Sequence, residues 1–491
     1  MVTPSFALIG ALCTMLGSLP GIVAFASHGS SAGEAPAEIS ADSLQAHVEF
    51  LASDELAGRS IGSPGLLKAA HYLAAELKDA GLEPAGDEGS FLQAMTFQRE
   101  AYRAVPELVF EPDQGEPQAL QYGSEFRYWR GGESGTMKLH VLGEDAVLPP
   151  QPHAGLALCF TELSRSRAQR WLKEQGHENG SGFGAVLTFQ RRAGEATDQL
   201  PRSGRQRLQP DEGVTPSPAW IELSPELKAS LAGGEFKGIE MQPHFELEQT
   251  VSYNVLGRLP GAGSESRPEL AQQALVVSAH YDHIGTSEVK AEDTEDTDHV
   301  YNGADDDASG VATVLEIARA LAAEGPQARE VLFLLATAEE IGIVGTSFYL
   351  DHPSTPLERT VANLNFEMVG RPDEKVGGPG RLWLSGHERT NLMAAYEEQG
   401  LEIGADPYPD QNFFSRSDNI VFCMRGIVGQ TFSTYNLHTD YHSVKDEADR
   451  IDFEHMQSCA RAGLQAVRMV ADGSIDPEWL EGGQPSPRSR R

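Results

Sequence analysis

The chain has 491 residues, 40% of them hydrophobic, enough apolar material for one large core or two ordinary ones. It carries 72 Asp+Glu against 38 Lys+Arg, a formal charge of -34, which argues against nucleic acid as a partner because phosphate binding needs a basic footprint. Acidity favours solubility and by itself assigns no function.

Residues 6–26 are apolar, are interrupted by Pro20-Gly21 and end on Ala24-Phe25-Ala26, a small-x-small pattern followed by the polar run SHGSSAGEAPAE. This predicts a signal peptide over 1–26, a linker over 27–40, and export to a periplasmic or extracellular location. The segment before the apolar run lacks Lys and Arg, so an N-terminal membrane anchor is the competing reading. No later stretch is apolar enough for a bilayer span, so no stable span is expected once the signal is removed. Cys13 falls in the signal. Cys159, Cys423 and Cys459 remain without CxxC spacing, which indicates neither a disulfide framework nor a cysteine metal site.

Apolar residues at helical spacing predict helices over 41–56 and 64–82, separated by the turn AGRSIGSPG. Residues 104–246 have a different texture. Short β-rich runs (LVF, MKLHVL, AGLALCF, GAVLTF, AWIEL) alternate with Pro/Gly/Gln-rich loops and one helical stretch, SRAQRWLKEQG, which predicts an inserted β-rich domain. From 247 to 471 strands and helices alternate. ALVVSA, VLFLLATA, VANLNFEM and IVGQTFS read as strands, and 308–323 carries an apolar helical face. The expected fold is α/β, a mixed central sheet covered by helices, built from 41–103 and 247–471 around the insertion, with 472–491 as a flexible tail.

The polar residues fall at the ends of these strands. His280 follows ALVVSA, Asp305, Asp306 and Asp307 precede the helix, Glu339 and Glu340 follow VLFLLATA, and Glu367 ends VANLNF. The carboxyl ends of strands in an open α/β sheet form its ligand crevice, so these clusters are expected on one edge. A further cluster, HTDYHSVKDE at 438–447, follows IVGQTFS and is placed to close over it. Carboxylates and histidines so gathered are costly to desolvate without a cation. Two histidines with three carboxylates are too few for two separate closed sites, but one bridging carboxylate satisfies the count for two metals. Calcium fits poorly: DTEDTD lacks the Gly and closing Glu of an EF-hand loop, and the run 292–298 reads as a solvated loop.

The motifs GRSIGSPG, AHYDHIG, NGADDDASG, ATAEEIG, NFEMVG and DYHSVKDE occur in an order and spacing that resemble the zinc-dependent exopeptidases of the M28 type, the aminopeptidase Y and bacterial leucyl aminopeptidase group. The resemblance covers 43–96 and nearly all of 251–455. It implies two Zn2+ per chain held by His280, Asp306, Glu340, Glu367 and His442, with Asp306 as the bridge. It also implies Glu339 as general base, Asp282 as the partner that orients His280, and Tyr441 as an oxyanion-stabilising hydroxyl. Many aminopeptidases of this group carry Asp where this chain has Glu367, which bears on which peptide terminus is attacked. The insertion sits where several members hold a protease-associated domain.

Other residues compete for these roles. His283, His438 and Asp440 are ligands by residue type but are offset from the motifs, and Asp418 in RSDNIVF reads equally as a helix cap. GRSIG fits the G-x-S-x-G pattern, but helix and turn precede it where a nucleophile elbow requires a strand. HERTN at 387–391 lacks the second His of a zincin.

The function expected is metal-dependent exopeptidase action, as an aminopeptidase on peptides or small-protein N-termini. A free α-amine is cationic near neutral pH and would find carboxylates in the crevice. A terminal carboxylate would need a basic clamp, and Arg416 and Arg425 lie near the motifs without matching one. The alternatives are carboxypeptidase or dipeptidase action at the same site, a glutaminyl-cyclase-like acyltransferase, and a non-catalytic receptor-like protein.

Overall fold

Four almost continuously buried strands, Ala274–His280, Glu330–Ala336, Thr360–Phe366 and Val428–Ser433, form the centre of the main sheet in the computed structural model. The structure describes residues 38–485 except 144–146, 150–151, 178–179, 193, 196, 198, 201–206, 209–217, 291–292 and 295. The expected signal peptide and the end of the tail therefore lie outside the described residues. Among those described, no helix is long and apolar enough to cross a membrane.

The four strands run parallel, with 274–280 flanked by 330–336 on one side and 360–366 on the other, and 428–433 beyond 360–366. Strands buried on both faces need apolar side chains on both, hence runs such as ALVV and VLFLL rather than alternation. Leu275, Val277, Val331 and Phe333 enter one core with the helices Ala41–Leu51, Pro64–Asp79, Gly310–Glu324 and Phe453–Ala471. Val276, Leu332 and Leu334 point the other way, against Val344–Asp351 and Asn419–Met424. The layers are thus helix, sheet, helix. Each fully buried Leu or Phe contributes roughly 1.5–3 kcal/mol relative to exposure.

The first of these strands in the chain lies between the second and third: its carboxyl end leads to 330–336 on one side, and 330–336 leads back past it to 360–366 on the other, so the direction of the connections reverses there. His280 is level with Ala336, and Phe366 with Phe432, so the polar residues that follow these strands emerge along one edge.

The helix starts follow local chemistry. Ser40 and Ser63 accept the N–H groups of Ser43 and Leu66, each at 3.1 Å, and Pro64 occupies the first turn where its missing N–H costs nothing. The first helix stops at Leu51, short of the expected 56. There the chain enters a turn, Asp54–Arg59, in which Gly58 has φ +65° and a Cβ would meet the Gly285 carbonyl oxygen at 2.2 Å. Close approach to a neighbouring loop, not helix propensity, sets that boundary.

Strand Leu92–Tyr102 pairs antiparallel with Phe245–Leu259 from Tyr102 opposite Phe245 to Leu92 opposite Val255. The chain leaves and re-enters the main sheet along this ribbon. Between the two strands it builds an eight-stranded sheet, with Phe110, Phe126, Ile221 and Ile239 in its core and the helix Arg165–Glu174 against it. The strands Gln118–Leu120, Phe126–Arg130 and Phe236–Gln242 had no distinct sequence signal.

Candidate metal centre

His280 is the last residue of its strand and is 1% exposed. Its Nδ1 lies 3.2 Å from the carbonyl oxygen of Asp282. A carbonyl only accepts, so Nδ1 carries the proton and Nε2 presents a lone pair. That Nε2 is 3.2 Å from Oδ1 of Asp306, without a hydrogen bond between them. On the other side of the same carboxylate, Oδ2 of Asp306 is 3.2 Å from Nε2 of His442, which is 3.2 Å from Oε2 of Glu340. Glu367 completes the His280 side, where the three ligand atoms lie within 4.8 Å of one another and Oε2 of Glu367 is buried without a hydrogen bond. His280, Asp306, Glu340, Glu367 and His442, drawn from five separate segments, are thus brought together. His283 joins them, with Nδ1 2.7 Å from Oε1 of Glu340, although its offset from the motif had set it apart.

The backbone delivers these side chains under local strain. Ala338, Met368 and His442 have φ of 61°, 52° and 52°, and each is, or directly adjoins, a residue of the cluster or Glu339. Such left-handed conformations are rare for residues with a Cβ and persist where surrounding contacts impose them. Gly310 lies where a Cβ would meet the Phe366 carbonyl oxygen and Oδ1 of Asp307, both at 2.4 Å, so the glycine of the ASG turn lets the helix start against the neighbouring strand.

The consecutive aspartates divide their work. Asp306 faces the histidines. Asp307 accepts the N–H groups of Met368 and Gly310 at 2.9 and 3.1 Å, and Asp305 accepts that of Gly370 at 2.8 Å. His438 meets Oδ2 of Asp305 at 3.0 Å, and Asp440 accepts from Arg371 at 2.8 Å, so both brace the loop and do not join the candidate ligand groups. Arg371 also donates to the buried Asp446 at 2.9 Å, holding the loop on both sides of His442.

Asp282 has a different part from the one expected. Its Oδ1 is 3.8 Å from Nδ1 of His280, beyond hydrogen-bond reach, and instead accepts the N–H of Glu339 at 3.0 Å, while Oδ2 lies 3.4 Å from the N–H of Glu340. The backbone of residue 282 orients the imidazole; its carboxylate holds the turn carrying the two glutamates. Asp418 is fully buried and makes no capping hydrogen bond to its helix.

Electrostatics argue that the cluster fits cations. Burial pushes the carboxyls of Glu339 and Asp307 well above their ordinary range, with His280 opposing and Glu367 adding to the rise. Glu367 is pushed up to about 8 by burial, again with His280 opposing and Asp306, Asp418 and Glu340 reinforcing. Asp306 is also penalised by burial, but His280, His442 and His283 hold it well below the usual value. Burial and Asp306 raise the Glu340 carboxyl, but His283 and His442 outweigh them, so the histidines satisfy Asp306 and Glu340 and leave Asp307, Glu339 and Glu367 in want of positive charge. Ligand atoms on one tetrahedral zinc, bonded at about 2.0–2.1 Å, stand roughly 3.3 Å apart, close to the separations across Asp306. The donors are imidazoles and carboxylates, and the described cysteines are all buried and free.

A cavity with about 610 Å³ of empty space, part of it open to solvent, adjoins the cluster. Asp306, Glu339, Glu340 and Glu367 line its polar side, and Met368, Trp383, Phe413 and Tyr435 its apolar side, with Tyr441 and Arg416 also exposed to it. Tyr441 stacks on His442 at 3.9 Å between ring centroids. The aromatic wall had no sequence signal, because its members come from short segments far apart in the chain. GRSIG forms part of the support: the buried Arg59 donates to the carbonyls of Tyr281, Asn302 and Gly303 at 2.8, 2.7 and 3.0 Å.

Fold and site together define an α/β protein with a histidine–carboxylate centre across the carboxyl ends of its parallel strands. This chain matches the sequence profile of peptidase family M28 over residues 254–467. It is 30% identical over 213 residues to aminopeptidase YwaD of Bacillus subtilis, covering 42% of this chain and 43% of that one. It is 27% identical over 233 residues to a vacuolar membrane protease of Lachancea thermotolerans, covering 46% and 21%. The matches thus span less than half the length of these curated relatives. Among solved structures, an aminopeptidase from Aneurinibacillus sp. strain AM-1 aligns with 21% identity and a TM-score of 0.48, covering 88% of this chain and 94% of that one.

Proposed function

We propose that the chain is a zinc-dependent exopeptidase that removes N-terminal residues from peptides. The observation that carries this reading is the placement of the Asp306 carboxylate, one oxygen toward His280 and the other toward His442 and Glu340. Two zinc ions held there, by His280, Asp306 and Glu367 and by Asp306, Glu340 and His442, would supply Lewis acidity and a water acidified toward neutrality. Glu339 reaches the same cavity without belonging to either candidate ligand group, so its carboxylate takes the proton of the attacking water and delivers it to the leaving amine. The Tyr441 hydroxyl donates to the oxyanion formed at the scissile carbonyl. Glu339 and Glu367 offer carboxylates to a cationic α-amine, and the wall of Met368, Trp383 and Phe413 favours an apolar first side chain. The apolar segment before residue 27 supports export, and the eight-stranded sheet at 107–242 supports reading the insertion as a protease-associated domain.

Arg416 favours a second reading. It is exposed and lines the cavity, so a C-terminal carboxylate has a basic partner available there, as carboxypeptidase or dipeptidase action requires. Aminoacyl-coumarin substrates with free and acetylated amines separate the two. Cleavage of the free form alone supports the aminopeptidase; release of C-terminal residues from blocked peptides supports the second reading. Metal content by elemental analysis addresses the remaining alternatives. Close to two zinc per chain fits the peptidase, one fits a cyclase-like enzyme, and none fits a receptor.

A further inference from the structure

His283 is 2% exposed, and neither of its ring nitrogens has a hydrogen-bond partner. Buried imidazoles ordinarily satisfy at least one nitrogen, so an orphaned ring aimed into a cluster of carboxylates needs a reason. Its Nδ1 stands 2.7 Å from Oε1 of Glu340 and 4.0 Å from Oδ2 of Asp306, and the shorter contact lacks hydrogen-bond geometry. His442 approaches the other oxygen of Glu340 at 3.2 Å, so the two imidazoles flank one carboxylate, with ring centroids 5.6 Å apart. Ligand atoms of His283, Asp306, Glu340 and His442 all lie within 4.8 Å of one another.

The ring's position is built by its surroundings. The His283 N–H donates to the carbonyl of Arg59 at 3.1 Å, which fixes the backbone below the ring. Gly303, at φ +59°, lies against the imidazole, where a Cβ would be 2.7 Å from Cγ. A side chain at 303 would displace the ring, so the glycine is needed for this placement as well as for its turn.

We propose that His283 is a fourth protein ligand to the cation held by Asp306, Glu340 and His442, which makes the two positions of the centre unequal. This rests on the reading that the cluster holds divalent cations. The position with two histidines and two carboxylates is closed by protein, the pattern of sites that retain their metal, whereas His280, Asp306 and Glu367 leave their position open. The open position is therefore the one that exchanges first and offers coordination to a substrate.

The test titrates the full-length, metal-free protein with Co2+ against a competing chelator and counts contact-shifted imidazole rings by proton NMR. The first equivalent should bind tightly and shift two rings, and the second should bind more weakly and shift one more. In His283→Ala and His283→Asn the first equivalent should weaken by at least about 100-fold, beyond the usual effect of a residue that only supports a ligand, and shift a single ring. A single shifted ring on the first equivalent of the unsubstituted protein, which requires no variant to fold, overturns the proposal while leaving a two-cation centre intact. Unchanged affinity in both variants overturns it equally. Absence of Co2+ binding would instead overturn the cation reading of the whole cluster, and this inference with it.

Discussion

The carboxylate of Asp282 accepts the backbone N–H of Glu339 at 3.0 Å, linking the loop after the 274–280 strand to the turn after its neighbour. Burial pushes this carboxyl up to about 7, with His280 opposing the rise, Glu340 adding to it, and the N–H groups of Glu339 and Glu340 opposing. Asp282→Ala removes the acceptor and leaves two amides at the turn unsupported. Turnover should fall by about 10–100-fold, the scale for a residue that holds functional groups in place. Steady-state kinetics with metal content measured on the same sample checks this; full activity would mean the turn holds itself.

The proposed function gives the adjacent Glu339 and Glu340 separate roles. Glu339→Gln should retain its metal and lose at least about 100-fold in turnover, as expected for a positioned general base. Glu340→Gln should lose metal, because Oε2 of Glu340 stands 3.2 Å from His442 in one candidate ligand group. Elemental analysis beside kinetics distinguishes them, and two active, fully metallated variants would remove both assignments.

Arg371 ties Asp440 and Asp446 together around His442. Arg371→Ala leaves the buried Asp446 without its cation, a change that typically costs about 3–5 kcal/mol. Thermal unfolding should show a marked loss of stability, with weakened metal retention at His442. Asp440→Ala, which removes only the more exposed partner, should do much less.

Glu316 joins two helices: Oε1 accepts from Ser43 at 2.8 Å and lies 3.3 Å from Nε2 of His47. Burial raises its pKa, but His47, Arg319 and Ser43 outweigh this and hold it below the ordinary carboxylate value. A depressed folded pKa contributes stability that is complete above the unfolded value, near 4.5, and is lost as pH falls through the folded value. Glu316→Gln should therefore be destabilised relative to the unsubstituted protein at pH 7, with the difference shrinking below about pH 4. Denaturant melts at both pH values test the sign; a difference that grows with acid would contradict it.

Chelation should lower the melting temperature, because ions that bind only the folded state stabilise it by RT ln(1 + [L]/Kd), about 4 kcal/mol at a thousandfold excess over Kd. Readdition of Zn2+ should restore it. A melt insensitive to chelator would mean that the cluster is stable without cations.

Local features were legible in the residues alone. Doubly buried strands read as continuous apolar runs because both faces need apolar cover, and Ser40 and Ser63 mark helix starts because their hydroxyls accept the first free N–H groups. The gathering of polar residues on one edge followed from their positions after parallel strands. Side-chain direction and contacts between distant segments, by contrast, arise only once the chain is folded. Asp305, Asp306 and Asp307 are chemically alike, and the backbone path through 304–309 decides that the middle one faces both histidines while the outer two accept amides. His283 and His438 were equal candidates by residue type. Gly303 admits the first ring beside Glu340, whereas Asp305 holds the second away from the candidate ligand groups. The aromatic wall of the cavity carries no periodic signal, because Trp383, Phe413 and Tyr435 meet only after the strands are paired and the loops are folded over their ends.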